Sequence, residues 1–236
     1  MKGKEWYQAK DVADVYEDKR FSRGGRLIDS REREAVLSAL NPIEGKQILE
    51  IAAGTGRFSV MLAEAGADVI GLDISAEMLN HGRAKVQARH PSGSVTFIRG
   101  DAARLPFPDN HFDAVFAMRF FHLIPTPHRF LAEMRRVTRG TIFFDTFNTP
   151  SARTVYNWLL PMGSRLYRRD EVTELLDDSE LVQTDVDHDF LVPYGCYRIL
   201  PSMIARPIRR ADVMLGKTNL GSRCASVSYW AASCPD

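Results

Sequence analysis

Cysteine is scarce. Cys196, Cys224 and Cys234 are the only three in 236 residues, an odd number with no C-x-x-C pair, so neither a disulfide framework nor a thiolate zinc site is expected. No other metal site is expected either. No stretch approaches the ~18 consecutive apolar residues of a membrane span, and Met1 to Lys10 carries Lys, Glu, Trp and Gln in place of an apolar leader core. The expectation is a soluble protein of the reducing cytoplasm. An excess of one charge is also missing: 31 Lys+Arg stand against 30 Asp+Glu, a net +1. No global field draws the chain to nucleic acid or an acidic membrane, and any basic patch must be local. Internal repeats and low-complexity tracts are absent.

A 44% hydrophobic composition over this length is enough for one full core. A single domain spanning 1–236 is therefore expected, with a charged helical cover at 1–45, a core at 46–148 and a C-terminal part at 149–236. Gln47-Ile48-Leu49-Glu50-Ile51 reads as a strand that runs into the small-residue turn Ala52-Ala53-Gly54-Thr55-Gly56. Phe58, Met61, Leu62 and Ala65 then recur at helical spacing, with Gly66 as a C-terminal cap. Val69 to Asp73 is a second strand, Ser75 caps the next helix, Val95 to Ile98 is a third strand and Phe112 to Ala117 a fourth. Thr126-Pro127 starts a helix whose Phe130, Leu131, Met134 and Val137 share one face, and Ile142-Phe143-Phe144 is strand five. Repeated βα units predict a doubly wound α/β domain with a mostly parallel sheet.

Toward the C-terminus the period changes. Val182 to Val192 and Ala225 to Ala231 alternate and predict two closing strands; Tyr197 to Lys217, broken by Pro201 and Pro207, predicts a helical cap between them. Gly24-Gly25 is read as a hinge or tight turn.

Three strand ends carry chemistry. Gly54 and Gly56 have no Cβ to keep a ligand from the backbone; alone they also suit a plain tight turn. Asp73 ends strand two, where a carboxylate can accept from both ribose hydroxyls, or can simply sit at a helix N-terminus. Gly100-Asp101-Ala102 ends strand three with a carboxylate for an adenine amino group, or one that solvates a loop. Consecutive parallel strands bring all three to the crevice where open α/β sheets bind ligands.

At these residues the sequence resembles the UbiE-like, type 11 group of class I S-adenosylmethionine methyltransferases. The likeness runs through Leu49 to Gly56, Gly71 to Ser75, Gly100 to Asp109 and Phe112 to Val115, and covers about Gln47 to Asn148. It implies a seven-stranded sheet with an antiparallel last strand, S-adenosylmethionine as cofactor and S-adenosylhomocysteine as product. By that resemblance Glu50 orients the methionine end, and Gly54 and Gly56 line methionine and adenosine. Asp73 holds the ribose, Asp101 and Ala102 select adenine, and Met118 and Arg119 face the sulfonium. Ala52, Ile74, Met78 and Tyr16 complete the expected cofactor contacts. Two departures stand out: Ala52 replaces the usual first Gly, and Val137-Thr138-Arg139-Gly140 replaces the Pro-Gly-Gly before strand five.

A sulfonium already activates its methyl, so the protein's tasks are alignment and exclusion of water. His122, four residues past Met118, is the candidate base, against a packing role before Pro125. Phe120 and Phe121 are candidate walls of an acceptor pocket, against plain core. Arg26 is a candidate for the cofactor's carboxylate, against a surface role. Arg206, Arg209 and Arg210, with Arg198 and interleaved apolar residues, are candidates for an anionic or lipid head group and a peripheral membrane contact, against a solvated helix face. The expected partner is a small-molecule or lipid-like acceptor methylated on O, N or C, with no nucleic acid. Three other classes share part of this pattern. A nicotinamide dehydrogenase leaves Asp101 and Leu105-Pro106-Phe107 unexplained, a nucleic-acid methyltransferase lacks its Asn-Pro-Pro-Tyr-like clamp, and a non-catalytic module could keep the cofactor fold.

Overall fold

A computed structural model describes residues 23–159 and 164–235. Its seven-stranded sheet has the order β3-β2-β1-β4-β5-β7-β6. In chain order the elements are α1 (Gly25–Leu40), β1 (Gln47–Ile51), α2 (Arg57–Glu64), β2 (Asp68–Asp73), α3 (Ala76–Arg89), β3 (Ser94–Arg99), β4 (Phe112–Ala117), α4 (Pro127–Val137) and β5 (Thr138–Phe147). They continue with α5 (Ala152–Leu159), α6 (Arg169–Asp178), β6 (Val182–Asp189), α7 (Tyr194–Ile199), α8 (Ser202–Gly216), α9 (Asn219–Cys224) and β7 (Val227–Ser233). Strands β1 to β5 are parallel, whereas β7 runs antiparallel between β5 and β6. The chain builds outward from β1 to β3, then returns to lay β4 on the other side of β1. A crevice opens at that reversal, outside the strands' carboxyl ends.

Central strands read as continuous apolar runs because helices cover both faces. Ile48, Phe116 and Phe143 pack on one side with α1 and α2; Leu49, Val115 and Phe144 pack on the other with α4 and α6. The edge strand β6 is largely exposed and carries Asp185 and Asp187, charges that discourage pairing with another chain. Caps fall where the sequence places them: Ser75 Oγ accepts from Met78 N at 3.3 Å, and Gly66 follows α2 with φ +89°.

The structure differs from the sequence reading in three places. Thr138, Arg139 and Gly140 are not a connection before strand five but its first residues, since α4 passes directly into β5. A Cβ on Gly140 would lie 2.4 Å from Asp113 O, so this strand approaches β4 too closely for any other residue. Pro207 does not break the cap; α8 runs through it. The proline is exposed, so water can satisfy the carbonyl it leaves without an amide partner. Gly24 is more than a hinge: its amide donates to Leu200 O at 3.2 Å, and a Cβ there would sit 2.3 Å from Tyr197 O.

Candidate active site

The turn after β1 is held from β2. Gly54 N donates to Asp73 Oδ2 at 2.8 Å and Ser75 N to Asp73 Oδ1 at 2.8 Å. The Ile74 backbone also supports this carboxylate, which keeps part of its acceptor capacity for a ligand hydroxyl. Burial raises the Asp73 pKa above the ordinary range for a carboxylate.

The two glycines have different reasons to be glycine. At Gly54 (φ +55°) a Cβ would meet no atom of the described residues closer than Ala52 O at 4.0 Å, so they leave the space beside that backbone open to a ligand. At Gly56 (φ +70°) a Cβ would fall 2.4 Å from the Phe97 ring, so this glycine serves packing of α2 against β3 and α3. Ala52, standing where the resemblance expects glycine, adopts φ +56° and so takes the backbone conformation glycine would take.

Glu50 points into the floor of the turn. It is 2% exposed, accepts from Ser59 Oγ and has its pKa pushed up to about 7 by burial. Arg57, nearby, offers little compensation because its guanidinium is taken up by Asp29 and by Glu32, the latter at 2.6 Å. Along the same edge Ile74 is half-buried and Met78 buried. Asp101 is exposed and holds its loop through Ala103 N at 2.9 Å, and Ala102 is buried beside it. A bound S-adenosylmethionine fits this arrangement: an open backbone at Gly54, spare acceptor capacity on Asp73 one strand over, and Asp101 a further strand away. Tyr16 lies outside the described residues. Arg26 is exposed, as its surface reading expects.

Beyond β4 lies a second, more polar half. Arg119 takes φ +61°, its amide donates to Asp145 Oδ1 at 2.5 Å, and its guanidinium reaches Glu32 at 2.8 Å while lying 4.5 Å over the Tyr194 ring. Met118 is buried beside it. Asp145, on β5, is 1% exposed, and its Oδ2 has no hydrogen-bond partner among the described residues. Burial lifts its pKa to about 6, against the pull of Arg119. Phe147, two residues on, carries the Arg153 guanidinium 3.3 Å from its ring centroid and the His122 ring at 4.4 Å. The geometry thus gathers Glu32, Arg119, His122, Asp145, Arg153 and Tyr194 from α1, the β4 and β5 ends, α5 and α7. Of these the sequence reading named only Arg119 and His122. Asp145 had a signal, as a lone carboxylate in the apolar run Ile142 to Phe147; Glu32 and Arg153 look like any charged residue of an exposed helix.

Two sequence expectations are corrected. Phe121 is fully buried and stacked on Phe144 at 4.5 Å in the core under α4, so it walls no pocket; half-buried Phe120 packs edge-on against Phe130 at 5.2 Å. Arg206, Arg209 and Arg210 do not converge: Arg209 turns inward to Asp189 at 2.5 Å and Asp212 at 3.3 Å, while the other two are exposed. Among the described residues no group of His, Cys, Asp or Glu is arranged to hold a metal, and no helix is long and apolar enough to cross a membrane.

A parallel sheet that reverses its strand order beside a Gly-rich turn, with acids closing the next two strands and an antiparallel β7, defines the class I methyltransferase architecture. Comparison with known proteins agrees. The methyltransferase domain family matches residues 49–144. The demethylmenaquinone methyltransferase of Renibacterium salmoninarum is 41% identical over 131 residues, 53% of this chain and 53% of that protein. The protein of the same name from Beutenbergia cavernae is 36% identical over 185 residues, 72% of this chain and 75% of that one. This chain thus spans about half the length of the first relative and three quarters of the second. Magnesium protoporphyrin IX methyltransferase from Synechocystis PCC 6803, solved with bound SAH, shares the fold with a TM-score of 0.67 at 18% identity, over 89% of this chain and 85% of that one. The chain belongs to the class I S-adenosylmethionine-dependent methyltransferases, in the UbiE-like group. The dehydrogenase and nucleic-acid readings are left without support.

Proposed function

We propose that this protein transfers a methyl group from S-adenosylmethionine to a ring carbon of a small hydroxylated aromatic, of the quinol class and lipid-like in character. The observation that carries this is the orphaned Asp145 Oδ2 in the buried polar half beside Met118, a carboxylate set where an acceptor hydroxyl would need one. The quinol class follows the names of the relatives, one of which is a C-methyltransferase of ubiquinone and menaquinone biosynthesis.

S-adenosylmethionine would be held along β1 to β3, by Asp73 at the ribose hydroxyls, by the open backbone at Gly54 and by Asp101 at the adenine edge. The bound cofactor supplies an electrophilic methyl on a sulfonium leaving group. Asp145 accepts a hydrogen bond from the acceptor's hydroxyl, and it or His122 takes that proton, which pushes electron density onto the ring. The activated ring carbon would accept that methyl and lose its own proton to a base or water, and the hydroxyl would recover the proton held by Asp145 or His122, so charge balances. Phe147, Tyr194 and Met118 exclude water from the half in which this occurs. The basic cap of α7 to α9 is the part of the chain that would meet a lipid surface.

The test is methyl transfer from labelled S-adenosylmethionine to a panel of reduced naphthoquinols, phenols, amines and sugars. A product methylated on carbon, formed from the quinols and not from the amines, is expected. Methylated amine or sugar as the main product would overturn the acceptor class.

A further inference from the structure

Helix α8 carries its apolar residues on the wrong side for a core. Only Ala205 and Asp212 are buried along it. Met203 is 88% exposed and Met214 74%, and Ile204 and Leu215 are exposed as well. At 100° per residue Met203, Pro207, Arg210 and Met214 form one outward crest, Ile204, Ala211 and Leu215 flank it on one side, and Arg206 flanks it on the other. Leu220, on α9, is also 74% exposed. Exposed apolar residues gathered along one side of a helix in this way, with Arg210 set among them, call for an occupant.

Charge says which occupant. Residues 198–224 hold six Lys and Arg against a single acid, Asp212, in a chain whose net charge is only +1. Asp212 is buried, accepting from Leu191 N and Tyr197 Oη, and it shares Arg209 with Asp189. Arg206, Arg210, Lys217 and Arg223 are all exposed. The β6 acids Asp185 and Asp187 line a groove with Val213 and Lys217, on the flank of α8 away from Ile204 and Leu215. An exposed apolar crest with Arg210 extending from within it and Arg206 at its flank, on a helix too short and too charged to span, is the pattern of a helix that lies in the plane of an anionic lipid interface.

We propose that α8 seats the protein on anionic membranes, with Met203, Ile204, Met214 and Leu215 among the acyl chains and Arg206 and Arg210 at the lipid phosphates. The same hairpin reaches the active site, since Tyr194 of α7 lies under Arg119. Docking there sets the acceptor half beside the bilayer, where a lipid-like acceptor dissolves. The purpose of the surface rests on the acceptor reading above; its existence does not.

The experiment is flotation of the full chain with vesicles of phosphatidylcholine and phosphatidylglycerol, or of phosphatidylcholine alone, at low and moderate salt. Calorimetric S-adenosylmethionine binding on the same preparations reports folding and the donor site. Expected are binding to the anionic vesicles that weakens with salt, its loss in Met203→Glu/Met214→Glu, and roughly a 30-fold weakening in Arg206→Gln/Arg210→Gln, all with cofactor affinity unchanged. Equal flotation of the wild type and Met203→Glu/Met214→Glu, or no binding to anionic vesicles, would overturn the proposal. So would a concentration-dependent dimer that Met203→Glu/Met214→Glu dissolves, because a second copy would then own the crest. Failure of flotation with quinol methylation intact rejects the surface alone; the converse rejects the acceptor class alone.

Discussion

Glu50 is the best place to test whether the floor of the donor site is as dry as its geometry says. Its carboxyl is 2% exposed, its hydrogen-bond partner is the Ser59 hydroxyl, and the cation nearby, Arg57, is shared between two other carboxylates. Burial therefore wins, and the pKa rises from 4.5 to about 7. Between those values the folded protein keeps a proton that the unfolded chain releases, so stability is fully present below pH 4.5 and falls as pH rises toward and through 7. The shift corresponds to about 3 kcal/mol of stability lost across that window. Glu50→Gln is neutral at every pH, and its amide oxygen can still accept from Ser59. Urea unfolding followed by tryptophan fluorescence at pH 5, 6, 7 and 8 compares the two proteins. The difference between them should grow with pH in favour of Glu50→Gln, while Asp145, which titrates in the same sense, and His188, whose burial-lowered pKa of about 4 acts oppositely, cancel from the comparison. Parallel profiles would refute the argument and show that water or a cation reaches Glu50.

Asp73→Ala should weaken S-adenosylmethionine binding by about 1.5 to 3 kcal/mol, through loss of charge-assisted hydrogen bonds to two hydroxyls, and unchanged calorimetric affinity would reject the ribose assignment. His122→Ala should lower turnover on a quinol by roughly 10- to 100-fold with cofactor affinity intact; if turnover survives, the ring over Phe147 is packing only. Ala52→Gly should raise stability by about 0.5 to 1 kcal/mol, because relief of a left-handed alanine outweighs the entropy glycine adds to the unfolded chain, and a thermal midpoint that fails to rise would count against strain at that turn.

The edge to which we assign the donor was legible because it is local. A short apolar strand, a small-residue turn and an acid at the next strand end are all written within a few residues of one another, and parallel topology brings Gly54, Asp73 and Asp101 to one edge without further information. The acceptor half was mostly illegible because its members come from far apart in the chain. Glu32 meets Arg119 across 87 positions, and nothing in the charged run of α1 marks Glu32 as the residue that turns inward. The inward turn of Arg209 is hidden for the same reason: its partner Asp189 lies 20 positions upstream, on β6, and no spacing rule joins an edge strand to a later helix. Pro207 misled because a proline's cost depends on whether its orphaned carbonyl finds water, which is a property of the surface and not of the sequence.

The two halves differ in what holds them, and the backbone shows where they join. Ala52, just past β1, and Arg119, just past β4, are both non-glycine residues with positive φ, and β1 and β4 are the neighbouring strands at which the sheet order reverses. Strain of this kind persists only where surroundings over-determine it. At Ala52 the surroundings are local: Ala53 N bonds Leu72 O and Gly54 N bonds Asp73, both in β2. At Arg119 they are tertiary, since its amide is fixed by β5, its guanidinium by Glu32 of α1, and its stacking by Tyr194 of α7. The left-handed turn sends the Arg119 side chain across the crevice, so the same residue ties α1 to α7. α7 is thus joined directly to Arg119, and through the Arg119 amide to Asp145.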